Sequence, residues 1–456
     1  MGSEPSEGGI VKIAVIGTGY VGLTTGVCLA SRGHDVMCVD TDVAKVAALR
    51  SGQCPIVENG LAALLRRNLQ LGRLRFDSSL ETLGDYSDLV FIAVGTPEGD
   101  GGEPDLTYVR LALGQVAAGA SPGAVIVIKS TVPPTALAAL EVEMRSVAGS
   151  RQMVFAVNPE FLRQGMAVAD TVHPERVVIG VSDAEARNRL LELYAPFAVP
   201  VVVTDPVSAM TIKYVANCFL ATKISFVNEV ANLCERLGAD VDAVTQGIGL
   251  DSRIGSKFLQ PGIGFGGSCF PKDTVGLLHV ARSVGYDFRV LASAVAVNEH
   301  QYKVVLDHLA SRLGSLQGKV VAVLGLAFKG GTDDTRETRS FPIVRGLLSA
   351  GSEVRSYDTY VVRTRLPGDV VTTMQGSLAA CVAGADAVVI ANDAADWATV
   401  DWKSVAHVMK GTLIVDGRNT LDADLVLEAG LEYWGVGRPD PGKLWVGLPP
   451  QGGKTS

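Results

Sequence analysis

No two cysteines in this sequence are spaced as CxxC. The seven, at positions 28, 38, 54, 218, 234, 269 and 381, are scattered and odd in number. That excludes a disulfide frame and a cysteine-built zinc site, and it suits reduced thiols in a cytoplasmic protein with no metal. No block of Lys or Arg stands out either. Forty basic residues against 48 acidic ones leave a formal charge of −8, so a nucleic-acid partner is not expected. The longest uncharged run, 111–128, is broken by Gln115, Gly119, Ser121, Pro122 and Gly123, which excludes a membrane span. The opening MGSEPSEGG has no hydrophobic signal core. What the chain does have is length and apolar content. Its 456 residues, 47% hydrophobic and 19% charged, fit two or three packed domains rather than disorder.

The first apolar run, VKIAVIG at 11–17, reads as a buried strand that leads straight into GTGYVG. Gly17, Gly19 and Gly22 then open a helix through Ala30, and a second strand, DVMCVD, ends at Asp40. Strand, glycine turn, helix, strand and acid together are the dinucleotide-binding pattern. The glycines let the backbone approach a pyrophosphate at a helix N-terminus, and Asp40 can hold two ribose hydroxyls. A carboxylate there favours NAD over NADP. Further strands, at 88–97, 124–133 and 153–161, each run from apolar residues into Gly, Thr, Ser, Pro or Asn. In an open parallel sheet a ligand lies at the carboxyl ends of the strands, which places Thr96, Ser130, Thr131 and Glu160 at one cleft.

Residues 207–237 contain no Gly or Pro and repeat apolar residues at helical spacing, predicting one helix of about 30 residues. Lys213 and Asn217, four apart, share one face of it; from spacing alone that face suits a solvated stripe as well as a site. A second nucleotide-type pattern starts at KVVAVLGLAFK (319–329), with a helix at 342–350 and strands at 353–358, 385–392 and 411–419. Its first turn lacks the dinucleotide fingerprint and supplies Lys329 instead; with Arg418 this suits an anionic ligand other than NAD, or two surface cations.

Between these halves lies GFGGSCFPKD, 264–273. Cys269 stands outside any apolar periodicity, among glycines that leave little bulk and beside the charges of Lys272 and Asp273. It reads as a nucleophile, a loop cysteine or a redox thiol. With an NAD fold, a nucleophilic thiol points to oxidation of an aldehyde to an acid. The thiolate adds to the carbonyl, hydride leaves, and water hydrolyses the thioester with an oxyanion stabiliser (Lys213) and a base (Glu160 or Asp273).

From residue 11 to about 440 the chain resembles the UDP-glucose/GDP-mannose dehydrogenase family, through KIAVIGTGYVGL, FIAVGTP, KSTVP, NPEFL, IKYVANCFLATKISFVNE, GIGLDSRIG, GFGGSCFPKDT, VLGLAFKGGTDDTRE and DGRN. The resemblance implies an α/β fold with two Rossmann-like doubly wound parallel-sheet domains joined by a long central helix. It divides the chain into an NAD-binding domain (1–205), a central helical domain (206–315) and a UDP-sugar-binding domain (316–456) whose tail from Pro449 is flexible. It implies four-electron, NAD-dependent oxidation of UDP-glucose to UDP-glucuronate. Cys269 would form the covalent intermediates, Lys213, Asn217 and Asp273 would surround C6, and Thr131 and Glu160 would position water.

For NAD the resemblance implies Gly17, Gly19, Tyr20, Val21, Gly22, Asp40, Lys45, Thr96, Thr131, Gln164, Lys272 and Arg336. For the nucleotide sugar it implies Glu160, Phe161, Leu162, Arg163, Lys213, Asn217, Arg253, Phe258, Leu259, Gly262, Gly266, Lys329 and Arg418. It also implies a homodimer through the central helix, with Arg253 reaching the neighbouring site. Phe270 after the cysteine resembles the UDP-glucose branch; GDP-mannose or UDP-N-acetylmannosamine are the alternatives. A two-electron β-hydroxyacid dehydrogenase is a more distant one, and a silent nucleotide-sugar binder lies outside enzymes altogether. Three departures stand out: Gln164 for a usual glutamate, Gly330-Gly331 beside Lys329, which predicts a more mobile loop, and Thr338-Arg339 in place of a small residue and proline.

Overall fold

The computed structural model describes residues 9–99, 101–371 and 373–439; the expected flexible tail from Pro449 lies outside them. The chain forms two compact units. One comprises Met1–Asn217 with Val275–Asp287, the other Cys218–Thr274 with Phe288–Ser456.

The first unit is built on eight strands: β1 (Lys12–Ile16), β2 (Asp35–Val39), β3 (Leu74–Asp77), β4 (Leu89–Ile92), β5 (Val125–Ile128), β6 (Val154–Val157), β7 (Val177–Val181) and β8 (Val201–Thr204). They lie in the order β3-β2-β1-β4-β5-β6-β7-β8. Both faces of this sheet carry helices, so central strands such as LVFI of β4 and VIVI of β5 are apolar at every residue and wholly buried. The β8 edge keeps Val202 and Val203 exposed. Every pairing is parallel except β6 with β7, which runs antiparallel through Ala156 opposite Val181. A continuous apolar run such as VVIGV carries no sign of its direction, and that reversal was not foreseen.

The second unit carries β9 (Val320–Leu324), β10 (Glu353–Tyr357), β11 (Ala387–Ile390), β12 (Leu413–Asp416) and β13 (Glu432–Gly435). They form an all-parallel sheet in the order β10-β9-β11-β12-β13.

The helix expected at 207–237 runs from Pro206 to Leu237. Proline fits the first helical position, where its missing N–H would go unused. Asp205 caps the start by accepting from the Ser208 amide at 2.8 Å. At 32 residues the helix is about 48 Å long. Among the described residues no helix is both long and apolar enough to cross a membrane.

Candidate active site

The nucleotide turn of the first unit forms as its residues dictate. Gly17 has φ +95°, and its amide donates to Val39 O of the neighbouring strand at 2.7 Å. The helix Tyr20–Ser31 begins three residues later. A Cβ on Gly22 would lie 1.9 Å from Gly17 O, so only glycine lets the helix sit this close to the turn. At Gly19 a Cβ would meet nothing within 4 Å, leaving room over the first amides of the helix, which have no intrahelical acceptor. Asp40, just past β2, accepts from Thr18 N at 2.8 Å, Thr18 Oγ1 at 2.7 Å and Lys45 Nζ at 2.8 Å. Burial alone would raise its pKa, but Lys45, the Asp42 amide and Thr18 hold it down to about 2. An open, glycine-lined helix N-terminus with an ionised acid beside it fits a dinucleotide.

Tyr20 lies over this turn. Its hydroxyl bonds the Glu58 carboxylate and accepts from Gly165 N at 2.9 Å, while Glu58 accepts from the same amide at 2.8 Å. Glu58 thus ties the first helix to the loop that carries Leu162, Arg163 and Gln164. It stands 38 residues from Tyr20 and was not singled out. Val21 is half-buried on the helix.

Thr96, Thr131 and Glu160 follow β4, β5 and β6, as the topology required, with Thr96 and Glu160 buried and Thr131 half-buried. Glu160 Oε1 pairs with Lys213 Nζ at 2.9 Å, with both side chains almost inaccessible, at 7% and 2%. Its Oε2 accepts from Leu162 N at 2.6 Å. Burial pushes the Glu160 carboxyl up, yet the Lys213 charge and these bonds hold it below the usual carboxylate range. Lys213 therefore does not sit on a solvated stripe, and neither does Asn217, also buried, one helical turn on. Phe161 carries the Arg176 guanidinium 3.8 Å over its ring and the Lys213 ammonium at 5.6 Å. Arg163 is exposed and forked onto Asp170.

In the second unit Cys269 is half-buried immediately before the helix Phe270–Ser283. Its carbonyl accepts the Asp273 amide at 2.8 Å, and five of the other six cysteines are buried. The positive end of a helix favours a thiolate, and the Arg336 guanidinium, itself paired with Asp334, lies within electrostatic reach of the sulfur. Asp273 is 1% exposed and paired with Lys272 at 2.7 Å. Phe270 packs between Phe258 and Phe265, with ring centroids 6.2 and 5.9 Å away. Leu259 is buried, and Arg253 is exposed and paired with Asp251.

The glycine run before the cysteine is held through its backbone. Gly262 N donates to Asn228 and Gly262 O accepts from Gln301, at 2.8 and 3.0 Å. Phe265 exchanges two bonds with Asn298, at 2.6 and 3.1 Å, and accepts a third from Arg339 at 2.8 Å. Arg418, expected at the substrate, is half-buried and donates to Gly264 O at 2.8 Å and Ala391 O at 3.2 Å. Asn228, Asn298 and Gln301 were not foreseen. Their only sequence signal is polarity on an otherwise apolar helix face, as for Asn298 and Gln301, three apart. Gly266 lies against the Glu337 main chain, and Lys329 is half-buried beyond β9. The glycine beside it has a reason other than mobility. A Cβ on Gly330 would lie 2.3 Å from Ala394 Cα, and its amide bonds Asp393.

The glycine turn with its ionised acid at the end of a parallel sheet is that of a nucleotide-dependent enzyme. The chain belongs to the UDP-glucose/GDP-mannose dehydrogenase family. It matches that family's NAD binding domain over residues 11–198, its central domain over 207–300 and its UDP binding domain over 322–423. It is 44% identical over 432 residues to UDP-glucose 6-dehydrogenase YwqF of Bacillus subtilis, covering 94% of this chain and 98% of that one. A UDP-glucose dehydrogenase structure from Pyrobaculum islandicum superposes with a TM-score of 0.89 at 38% identity, over 96% of this chain and all of that one. A UDP-D-ManNAc dehydrogenase from Pyrococcus horikoshii gives 0.84 at 32%, over 94% and 99%. The family makes the protein an NAD-dependent enzyme.

Proposed function

We propose that the protein oxidises UDP-glucose to UDP-glucuronate in two NAD-dependent steps, with Cys269 as the covalent nucleophile. The observation that carries this is the Cys269 thiol at a helix N-terminus, beside the buried Asp273, in a chain whose first unit has an open dinucleotide turn. The strongest of the named relatives are UDP-glucose dehydrogenases, and Phe270 supports the same sugar.

NAD, when bound, would supply the hydride acceptor for each oxidation. Gly17, Gly19 and Gly22 would seat its pyrophosphate, Asp40 its ribose, and Tyr20, Val21, Lys45, Thr96, Gln164, Lys272 and Arg336 would complete its contacts. Lys213 and Asn217 bond the C6 oxygen as the alcohol loses a proton and a hydride to become the aldehyde. Cys269 Sγ then bonds C6, and Lys213 stabilises the resulting oxyanion. Loss of the second hydride leaves a thioester. Water, held by Thr131 and Glu160 and activated with Asp273, attacks C6; the C–S bond breaks and the thiol is restored. One water is consumed, and two hydrides and three protons leave. Phe161, Leu162, Arg163, Phe258, Leu259, Gly262, Gly266, Lys329 and Arg418 shape the nucleotide-sugar site.

Counting NADH per sugar tests this. UDP-glucose should yield two NADH and a uronic acid, and Cys269→Ser should form no acid. A yield of one NADH, turnover of GDP-mannose or UDP-N-acetylmannosamine instead, or an active Cys269→Ser enzyme overturns the reading.

We also infer a homodimer through the long helix, with Arg253 reaching the partner's site. Phe219, Phe226 and Leu233, spaced by sevens, are exposed along one line of that helix, with Val215 and Leu237 beside them. Light scattering should give twice the 47.7 kDa chain mass, and Phe226→Asp should halve it; a monomeric wild-type protein sinks this inference. The seven free cysteines support a cytoplasmic location, which fractionation would check.

A further inference from the structure

Lys129 has no place in the chemistry above, yet it is one of the two buried lysines in the first unit. It directly follows β5, and its side chain runs inward to an ammonium 5.9 Å from the Phe91 ring centroid. Its hydrogen-bond acceptors are neutral: Asn158 Oδ1 at 3.0 Å and Asn158 O at 3.4 Å. Asn158 is itself fixed. Its Oδ1 also accepts from Tyr194 Oη at 2.6 Å, and its Nδ2 donates to Val178 O at 2.8 Å. Two residues beyond Asn158 stands Glu160.

A buried ammonium seated only on neutral acceptors is costly unless a counter-charge lies near. The charges that face Lys129 are the Glu160 carboxylate and, as a like charge, Lys213. Those that face Glu160 are Lys213, from the long helix, and Lys129, from the end of β5. One buried carboxylate is thus shared by two cations. The surplus matters in the proposed reaction. When Lys213 turns to a substrate oxyanion, or gives up a proton, Glu160 would otherwise be a buried anion with no cation beside it and would be pushed toward taking up a proton.

We propose that Lys129 is a positioning residue of the reaction: a second buried cation that keeps Glu160 a carboxylate while Lys213 serves the substrate. This rests on the reading of Glu160 and Lys213 given above. Burial pulls the Lys129 pKa down to about 8 against the opposing pull of Glu160, so the ammonium persists through neutral pH.

The test is the pH dependence of kcat in the NADH assay. In Lys129→Met the acid limb should move up by about one pH unit, because Glu160 has lost one of its two cations. kcat should fall several-fold on that limb, below about pH 5, and change little at pH 7, with KM for NAD within twofold, and Lys129→Arg should return the limb to its wild-type position. Glu160→Gln should remove the limb, assigning it to that carboxylate. A Lys129→Met limb that overlays the wild type overturns the proposal, as does a limb that survives Glu160→Gln or one that Lys129→Arg fails to restore. If Lys129→Met does not fold, Lys129→Gln must give the same shift. Cys269→Ser separates the two failures. An active Cys269→Ser enzyme overturns the proposed function, whereas an inactive one with an unmoved Lys129→Met limb overturns only the role of Lys129.

Discussion

The first turn of the eight-stranded sheet and the first turn of the five-stranded sheet start from the same backbone. Gly17 has φ +95° and Gly325 has φ +96°. The Gly17 amide bonds Val39 O at 2.7 Å, and the Gly325 amide bonds Tyr357 O at 2.9 Å. Each neighbouring strand is followed by an acid, Asp40 or Asp358. Beyond this point they diverge. After Gly17 the chain enters a helix at Tyr20, and Asp40 takes one turn amide, that of Thr18. After Gly325 no helix begins until Ser340, and Asp358 Oδ2 takes two turn amides, Leu326 at 2.8 Å and Ala327 at 3.0 Å. Asn392 donates to that oxygen as well, while Asp358 Oδ1 accepts from Tyr360 N and Val361 N. One turn leaves helix amides for a phosphate; the other has filled its own cradle with a carboxylate. The same topology thus serves a dinucleotide in one unit and cannot receive a pyrophosphate in the same way in the other.

Swapping chemistry at the two acids is the sharpest way to break this comparison. Asp358→Ala strips an acceptor from five donors, four of them on buried residues, and should cost about 3 kcal/mol or more of stability. Asp40→Ala loses the Lys45 pair and should cost less, about 2 kcal/mol as its depressed carboxyl implies, while weakening NAD binding at least about tenfold. Urea unfolding and NAD titration read both; equal stability losses would show that Asp40 is structural too. The pH arm has a definite sign. The Asp40 carboxyl is held at about 2, below the ordinary 3.8, so its contribution is complete above about pH 4 and fades only as pH falls toward 2. NAD affinity in the wild type should therefore show no carboxylate titration between pH 5 and 8.

This contrast was half legible in the sequence. GTGYVG and Asp40 stand within one local unit, and local units are what spacing reads well. The absence of the fingerprint after Gly325 was visible too, but the role of Asp358 as a plug was not, because its partners Leu326, Ala327 and Asn392 lie more than 30 residues away. The same limit hid Glu58 behind Tyr20, Asn228 and Gln301 behind the cysteine loop, and Lys129, which reads in KSTVP as a polar strand end. It also let Lys213 and Asn217 pass for a solvated stripe, since helical spacing says which residues share a face but not what covers it.

The smallest structural change should separate the two uses of glycine in the open turn. Gly19 has φ −69° and ψ −172°, an extended conformation that any residue adopts, and a Cβ there meets nothing within 4 Å. The fold therefore has no need of glycine at this position. A pyrophosphate lying against the first amides of the helix does, because a methyl group would stand where the phosphate must come. Gly19→Ala should leave unfolding within about 0.5 kcal/mol of wild type and weaken NAD several-fold. Gly22→Ala should fail the other way and lose stability first, since its Cβ would sit 1.9 Å from Gly17 O. Should Gly19→Ala bind NAD as tightly as the wild type, the open turn would be no cradle, and its difference from the filled turn at Gly325 would be one of shape without a difference in use.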